Sequence, residues 1–167
     1  MIQRVRFRNL IFDLDGTLVD SLGGIEASAR HAAGTCLPAR ELPSMRELIG
    51  PPIAKMFETL WPELPPDELK RLVGCFREHY DTEGCLLSQL YPGVRETLAA
   101  LKEKEAVLFV LTNKPRYASR MILEHLGIWP YFTDLVSPDS REPAFRAKRE
   151  GAQYLQKKYG LEPAATL

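Results

Sequence analysis

Leu10-Ile11-Phe12-Asp13-Leu14-Asp15-Gly16-Thr17-Leu18-Val19-Asp20-Ser21 is the stretch on which the reading of this chain turns. Leu10-Ile11-Phe12 is an apolar run suited to a buried strand. It ends abruptly in two carboxylates one residue apart, followed by a glycine. Alternate positions on a strand share a face, so Asp13 and Asp15 would point the same way if the strand continued. Gly16 marks a turn instead. Two acids crowded at a strand end repel each other unless a cation neutralises them. Mg²⁺, a hard dication, takes oxygen ligands and often keeps waters and substrate phosphate in its other positions. The stretch therefore predicts a metal-assisted site at the carboxyl edge of a sheet, where open α/β folds bind ligands. Asp-Gly is also an ordinary turn dipeptide and Thr17 an ordinary helix cap, so the dipeptide alone does not decide the matter.

Working outward, the clearest second strand is the apolar run Ala106-Val107-Leu108-Phe109-Val110-Leu111, which ends in Thr112-Asn113-Lys114-Pro115. Phe132 to Ser137 predicts a third strand. Helical patterns follow Val94, cover about 116–126 up to Gly127, and cover 147–159 up to Gly160. This alternation predicts βαβ units and a parallel sheet. Residues 21–88 carry no convincing strand. A helix is expected over 22–34, with Gly34 near its end. A short one capped by Ser44 is expected through Met45, Leu48 and Ile49, broken by Gly50-Pro51-Pro52. A third is expected near 53–60, and a fourth capped by Asp67 with Leu69, Leu72, Val73, Phe76 and Tyr80 as its apolar stripe. The expected fold is α/β: a Rossmann-like parallel-sheet core from 1–20 and 89–167, with an inserted helical cap over 21–88.

The bulk properties narrow the function classes. At 167 residues the chain is long enough to bury a sizeable core. Lys plus Arg equals Asp plus Glu at 22 each, so net charge gives no support for nucleic-acid or anionic-membrane binding. No apolar stretch approaches the roughly 20 residues needed to span a bilayer. The basic start, Met1 to Arg8, is not followed by a long apolar segment, so no secretory signal is expected. Cys36, Cys75 and Cys85 are scattered, lack metal spacing, and read as free thiols in a reducing cytoplasm. His31, His79 and His125 are equally scattered and are assigned no catalysis.

The string Phe12 to Ser21 resembles the first signature of the haloacid-dehalogenase-like phosphohydrolases. The resemblance implies that Asp13 is a nucleophile and Asp15 a general acid/base. It also implies that both join the Mg²⁺ site, through a side-chain oxygen of Asp13 and the backbone carbonyl at Asp15. Gly16 and Thr17 then shape the loop, and exposed amides there are expected to bind phosphate oxygens. Thr112-Asn113-Lys114-Pro115 resembles the second signature in its phosphoglycolate-phosphatase form, which makes Thr112 and Asn113 phosphate-binding candidates. The third signature is a Lys that neutralises phosphate, commonly within Lys-Pro. No Lys-Pro follows Ser137-Pro138-Asp139 here. Lys148, opening a helical run, is the favoured equivalent, with Arg141 as the alternative. The insertion resembles a substrate-selecting cap, with Gly50 in its site-facing loop and Arg46 and Lys55 flanking as candidates for a substrate carboxylate.

The fourth signature, an apolar strand ending in Gly-Asp with a further acid, does not occur. Ala164-Ala165-Thr166-Leu167 read as the first residues of that strand. Taken as it stands, such a chain is expected to hold Mg²⁺ weakly and to be poorly active. The function expected from the resemblance is a cytoplasmic Mg²⁺-dependent phosphatase acting on a small phosphorylated metabolite, phosphoglycolate-like, through an aspartyl-phosphate. The alternatives are a pyrophosphatase or sugar phosphatase of the same family, or a non-catalytic binding or regulatory protein. The oligomeric state is not legible.

Overall fold

The computed structural model describes residues 7–38, 40–48 and 50–167. The expectations placed on residues 1–6 and on Ile49 lie outside the described residues. The chain folds as two compact units, one comprising residues up to Val19 with Leu90–Leu167, the other Asp20–Gln89.

The first unit is built on a parallel sheet. β1 (Asn9–Phe12) pairs with β4 (Val107–Leu111), Asn9 opposite Val107 and Phe12 opposite Val110. β4 pairs with β5 (Asp134–Val136), Phe109 opposite Asp134 and Leu111 opposite Val136. β4 is central because its run is apolar throughout, and Leu108, Phe109 and Val110 are fully buried. The helices α4 (Val94–Glu103), α5 (Arg116–His125) and α6 (Lys148–Tyr159) alternate with the strands. Gly127 and Gly160 stand just beyond α5 and α6 with φ of 65° and 61°, the left-handed conformation that ends a helix cheaply only at glycine. Phe109, Val136, Phe145, Leu155 and Leu161 form a core between sheet and α6. The residues expected to open a further strand do pair along β1. The Arg8 N–H donates to Ala165 (2.9 Å), the Leu167 N–H to Asn9 (2.9 Å) and the Ile11 N–H to Leu167 (2.7 Å).

The second unit is helical. α1 (Leu22–Cys36) packs on α3 (Pro66–Tyr80), with the short α2 (Ile53–Leu60) beside α3. Phe57 meets Phe76 edge-on at 5.9 Å, and Phe76 stacks on Tyr80 at 5.2 Å. Strands β2 (Val19–Asp20) and β3 (Gln89–Leu90) pair with each other where the chain enters and leaves this unit.

Three local expectations need correction. Asp67 does not cap α3: Pro65 holds the cap position, Pro66 opens the helix, and Asp67 lies in its first turn. Proline suits the first helical position because its missing N–H has no partner there, and an acid in that turn complements the helix dipole. The Ser44-capped segment is only a 3-10 turn, Arg46–Leu48, with a long 3.4 Å contact from the Arg46 N–H to Ser44 Oγ. Gly34 does lie near the end of α1, but the helix runs two residues beyond the expected 34, to Cys36, because the Leu37 N–H still reaches the Ala33 carbonyl at 2.7 Å.

Two helical glycines make opposite predictions. A methyl group on Gly24 would lie 2.0 Å from the Gly84 carbonyl oxygen, a backbone atom that cannot swing away. Gly74 has nothing within 4 Å of the same position. Urea unfolding of Gly24→Ala should show a loss of about 1–3 kcal/mol from overpacking. Gly74→Ala should gain about 0.5–1 kcal/mol from helix propensity.

Candidate active site

The carboxyl ends of β1, β4 and β5 each release a loop that carries a polar cluster. After β1 the chain makes a tight turn. The Leu18 and Val19 N–H groups donate to the Leu14 carbonyl at 2.9 and 3.1 Å, and the Gly16 N–H returns to Val19 at 2.9 Å. Gly16 has φ of 77°, where a side chain would be strained. The turn leaves Leu14 wholly buried and holds Asp13 and Asp15 at its mouth. The Leu14 N–H fixes the Asp13 carboxylate through Oδ1 at 2.8 Å. One expectation changes here. The Gly16 N–H is spent on Val19 and the Thr17 N–H on Leu14 at 3.3 Å, so both residues shape the loop rather than offer exposed amides.

After β4, the Thr112 N–H donates to Val136 at 3.0 Å, and its buried Oγ1 accepts the Lys114 N–H at 3.1 Å. This turn folds Lys114 back, and its Nζ lies 3.3 Å from Asp15 Oδ1, with only 8% of the side chain exposed. Asn113 is exposed on the same loop. After β5, the Ser137 hydroxyl donates to Asp139 at 2.8 Å. Asp139 in turn accepts the N–H of Arg116, the first residue of α5, at 2.9 Å.

Lys148 opens α6 and places its Nζ 2.5 Å from Asp13 Oδ2. Arg141, the alternative, turns elsewhere: its guanidinium meets Glu150 at 3.3 Å and covers the Phe145 ring at 4.3 Å. The far end of α6 is anchored by Asp134 at the start of β5. Lys158 Nζ reaches its carboxylate at 2.9 Å, the Tyr159 hydroxyl donates to it at 3.0 Å, and Arg116 lies 3.5 Å away. Burial opposes ionisation of Asp134. The Lys158, Leu135 N–H and Tyr159 hydrogen bonds outweigh it and hold the carboxyl below its ordinary range. The same partnership pushes the Lys158 ammonium well above the usual lysine value.

The first unit thus brings Asp13, Asp15, Lys114 and Lys148 together as two ion pairs. Asp13 is the more open acid, its side chain 39% exposed against 16% for Asp15. Sequence reading did not include Lys114. Its position two residues after a strand-end threonine was visible, but its direction depends on the Thr112 hydroxyl turn. Arg46, Gly50 and Lys55 belong to the second unit. There Lys55 pairs with Glu58 at 3.1 Å, Gly50 is exposed with φ of 130°, and Arg46 is exposed on the 3-10 turn.

The sequence pattern of the family described as haloacid dehalogenase-like hydrolase matches residues 10–167. The chain belongs to this family. A phosphoglycolate phosphatase of Haemophilus influenzae is 34% identical over 175 residues, covering 97% of this chain and 76% of the relative. A solved structure described as a predicted phosphoglycolate phosphatase from Haemophilus somnus has a TM-score of 0.80 at 31% identity, covering 97% of this chain and 76% of that one. A tyrosine-protein kinase of Mycobacterium tuberculosis is 36% identical over 126 residues, covering 74% of this chain and 42% of the kinase. The haloacid-dehalogenase-like α/β fold is therefore shared across the match.

The donor set at β1 suits Mg²⁺. Each carboxylate has about four lone-pair sites, so Lys148 and the Leu14 N–H leave acceptor capacity on Asp13. Among the described residues no group of three or more His, Cys, Asp or Glu could hold a metal. Mg²⁺ commonly binds through one or two carboxylates, with waters and substrate phosphate in its other positions.

Because Asp134 fixes the end of α6 opposite Lys148, its loss should be felt in stability. Asp134→Asn should cost about 2 kcal/mol, as for a hydrogen-bonded charge. The contribution of a carboxyl with a lowered folded-state pKa is fully present above the unfolded value of about 3.9 and is lost as pH falls through the folded value. Denaturant unfolding at a series of pH values should show the wild-type advantage narrowing as pH drops below about 4.

Proposed function

We propose that the chain is a Mg²⁺-dependent phosphatase that hydrolyses a small phosphorylated metabolite of the phosphoglycolate class through an aspartyl-phosphate on Asp13. The observation that carries this reading is the pair of strand-end carboxylates, each met by its own lysine. The phosphoglycolate phosphatase name of the Haemophilus influenzae relative supports the substrate class.

In this reading Asp13, the more open acid, attacks phosphorus and the ester oxygen leaves. Lys148 turns from pairing Asp13 to neutralising the phosphoryl oxygens as charge spreads over them. The Thr112 hydroxyl already accepts the Lys114 N–H, so its own hydrogen is left to donate to a phosphoryl oxygen. Asp15, entering the step as the protonated acid, gives its proton to the leaving alkoxide and then regains one from the water that hydrolyses the acyl phosphate. Asp13 and the Asp15 backbone carbonyl would hold Mg²⁺, which supplies charge neutralisation for the two anions that must meet there. The helical unit Asp20–Gln89 acts as the cap that chooses the leaving group, with Arg46, Gly50 and Lys55 as its candidates.

Phosphate release should be measured on phosphoglycolate, pyrophosphate, sugar phosphates and p-nitrophenyl phosphate, with and without Mg²⁺. Release should require Mg²⁺ and favour phosphoglycolate. Asp13→Asn should abolish it, and should also abolish any hydroxylamine-labile phosphate label on the protein. Turnover that survives Asp13→Asn would sink the mechanism, and a folded chain with no release from any substrate would favour a non-catalytic binding role.

Asp15→Asn should slow release by about 10²–10⁴-fold, the usual worth of a positioned proton donor. A loss much smaller for leaving groups that need no proton, p-nitrophenol above all, would assign the defect to leaving-group protonation. An equal loss on every substrate would argue against that role.

A further inference from the structure

Cys36 and Cys75 lie 39 positions apart in the sequence, yet their sulfurs are 3.1 Å apart. Cys36 is the last residue of α1 and is buried. Cys75 lies on α3 and is half-buried. The approach is closer than the roughly 3.5–4.0 Å at which non-bonded carbons settle. It leaves about 1 Å to a disulfide bond of about 2.0 Å. The two helices are the main packing partners of their unit, so the sulfurs meet across an interface that holds them together. Neither is in a disulfide, and the third cysteine, Cys85, is buried in a separate 3-10 turn, Gly84–Leu87.

We propose that Cys36 and Cys75 form a dithiol that hydroperoxides oxidise to a disulfide stapling α1 to α3. The two thiols are unequal. Burial, then the hydrogen bond with Cys75, pushes the Cys36 thiol above its ordinary range, against a lowering influence of Arg71, whose guanidinium donates to the Cys36 carbonyl at 2.9 Å. Cys75 is the more exposed of the two residues and is the one that reacts first. Its thiolate takes one oxygen from hydrogen peroxide, the O–O bond breaks, and the displaced hydroxide leaves as water with the thiol's proton. The Cys36 sulfur then attacks the sulfenic sulfur: the S–S bond forms, the S–O bond breaks, and a second water leaves with the Cys36 proton. Two thiols lose two electrons and the peroxide gains them. The new bond closes the chain between the end of α1 and the middle of α3, constraining the unfolded state more than the folded one.

The test uses the reduced full chain treated with hydrogen peroxide. Thiol titration under denaturing conditions should fall from three to one. The intact mass should drop by about 2 Da, and peptide mapping should place the cross-link between Cys36 and Cys75. Dithiothreitol should reverse all three, and the oxidised chain should melt about 5 °C or more above the reduced one. Cys75→Ser should show no mass loss within the chain. Stable oxygen adducts on Cys75 without a cross-link, a bridge to Cys85, or disulfide-linked dimers in place of the internal bond would each overturn the proposal. The mapping is done on the unmodified sequence, so it stands even if Cys36→Ser or Cys75→Ser fails to fold.

Discussion

Asp13 and Asp15 stand one residue apart, and two carboxylates crowded at a strand end repel each other unless opposite charge compensates them. The chain answers with a lysine for each: Lys148 from the start of α6 for Asp13, Lys114 from the loop after β4 for Asp15. Neither lysine is near its partner in sequence. Much of the first unit can be understood as what brings them there. β4 must lie beside β1 in parallel so that its carboxyl end opens on the same edge, and α6 must cross with its N-terminus toward that edge. The four side chains sum to no net charge. In the proposed reading, a phosphate dianion entering such a site would bring uncompensated negative charge, which is the charge a Mg²⁺ ion would offset.

A second polar cluster is organised around Asp134 on β5. It draws Lys158, Tyr159 and Arg116 onto the start of β5, so the C-terminal end of α6 and the first turn of α5 share one anchor. Gly151 completes the arrangement. A side chain there would press within 2.6 Å of Leu111, so glycine lets α6 lie close on β4. The lysine at one end of α6 is therefore placed by contacts at its other end and middle.

The strands that carry the site were legible because buried parallel strands read as continuous apolar runs, and Leu10–Phe12 and Val107–Leu111 are such runs. Pairing order and register were not legible, since nothing local in a short apolar run names its neighbour. Helix ends marked by glycine in the left-handed conformation, at Gly127 and Gly160, were read from sequence. Gly34 was not distinguishable from these, because a glycine within a helix looks the same on the page as one that ends it. Asp13, Asp15 and Lys148 were named from the resemblance to the family's signatures, with Arg141 as the alternative to Lys148. Lys114 escaped because its direction is set by a hydroxyl turn at Thr112, and the Cys36–Cys75 approach escaped because it depends on how two helices pack.

Residues 165–167 lie along β1 on the side away from β4, so the strand that carries Asp13 has backbone partners on both flanks. A four-residue strand held on one side could slide. A slip of one position would carry Asp13 about 3.3 Å along the sheet and turn its side chain to the other face. Hydrogen bonds to Ala165, Leu167 and β4 would all have to break together for that to happen. Residues 165–167 thus act as an alignment guide for the strand that ends at the Asp13 carboxylate.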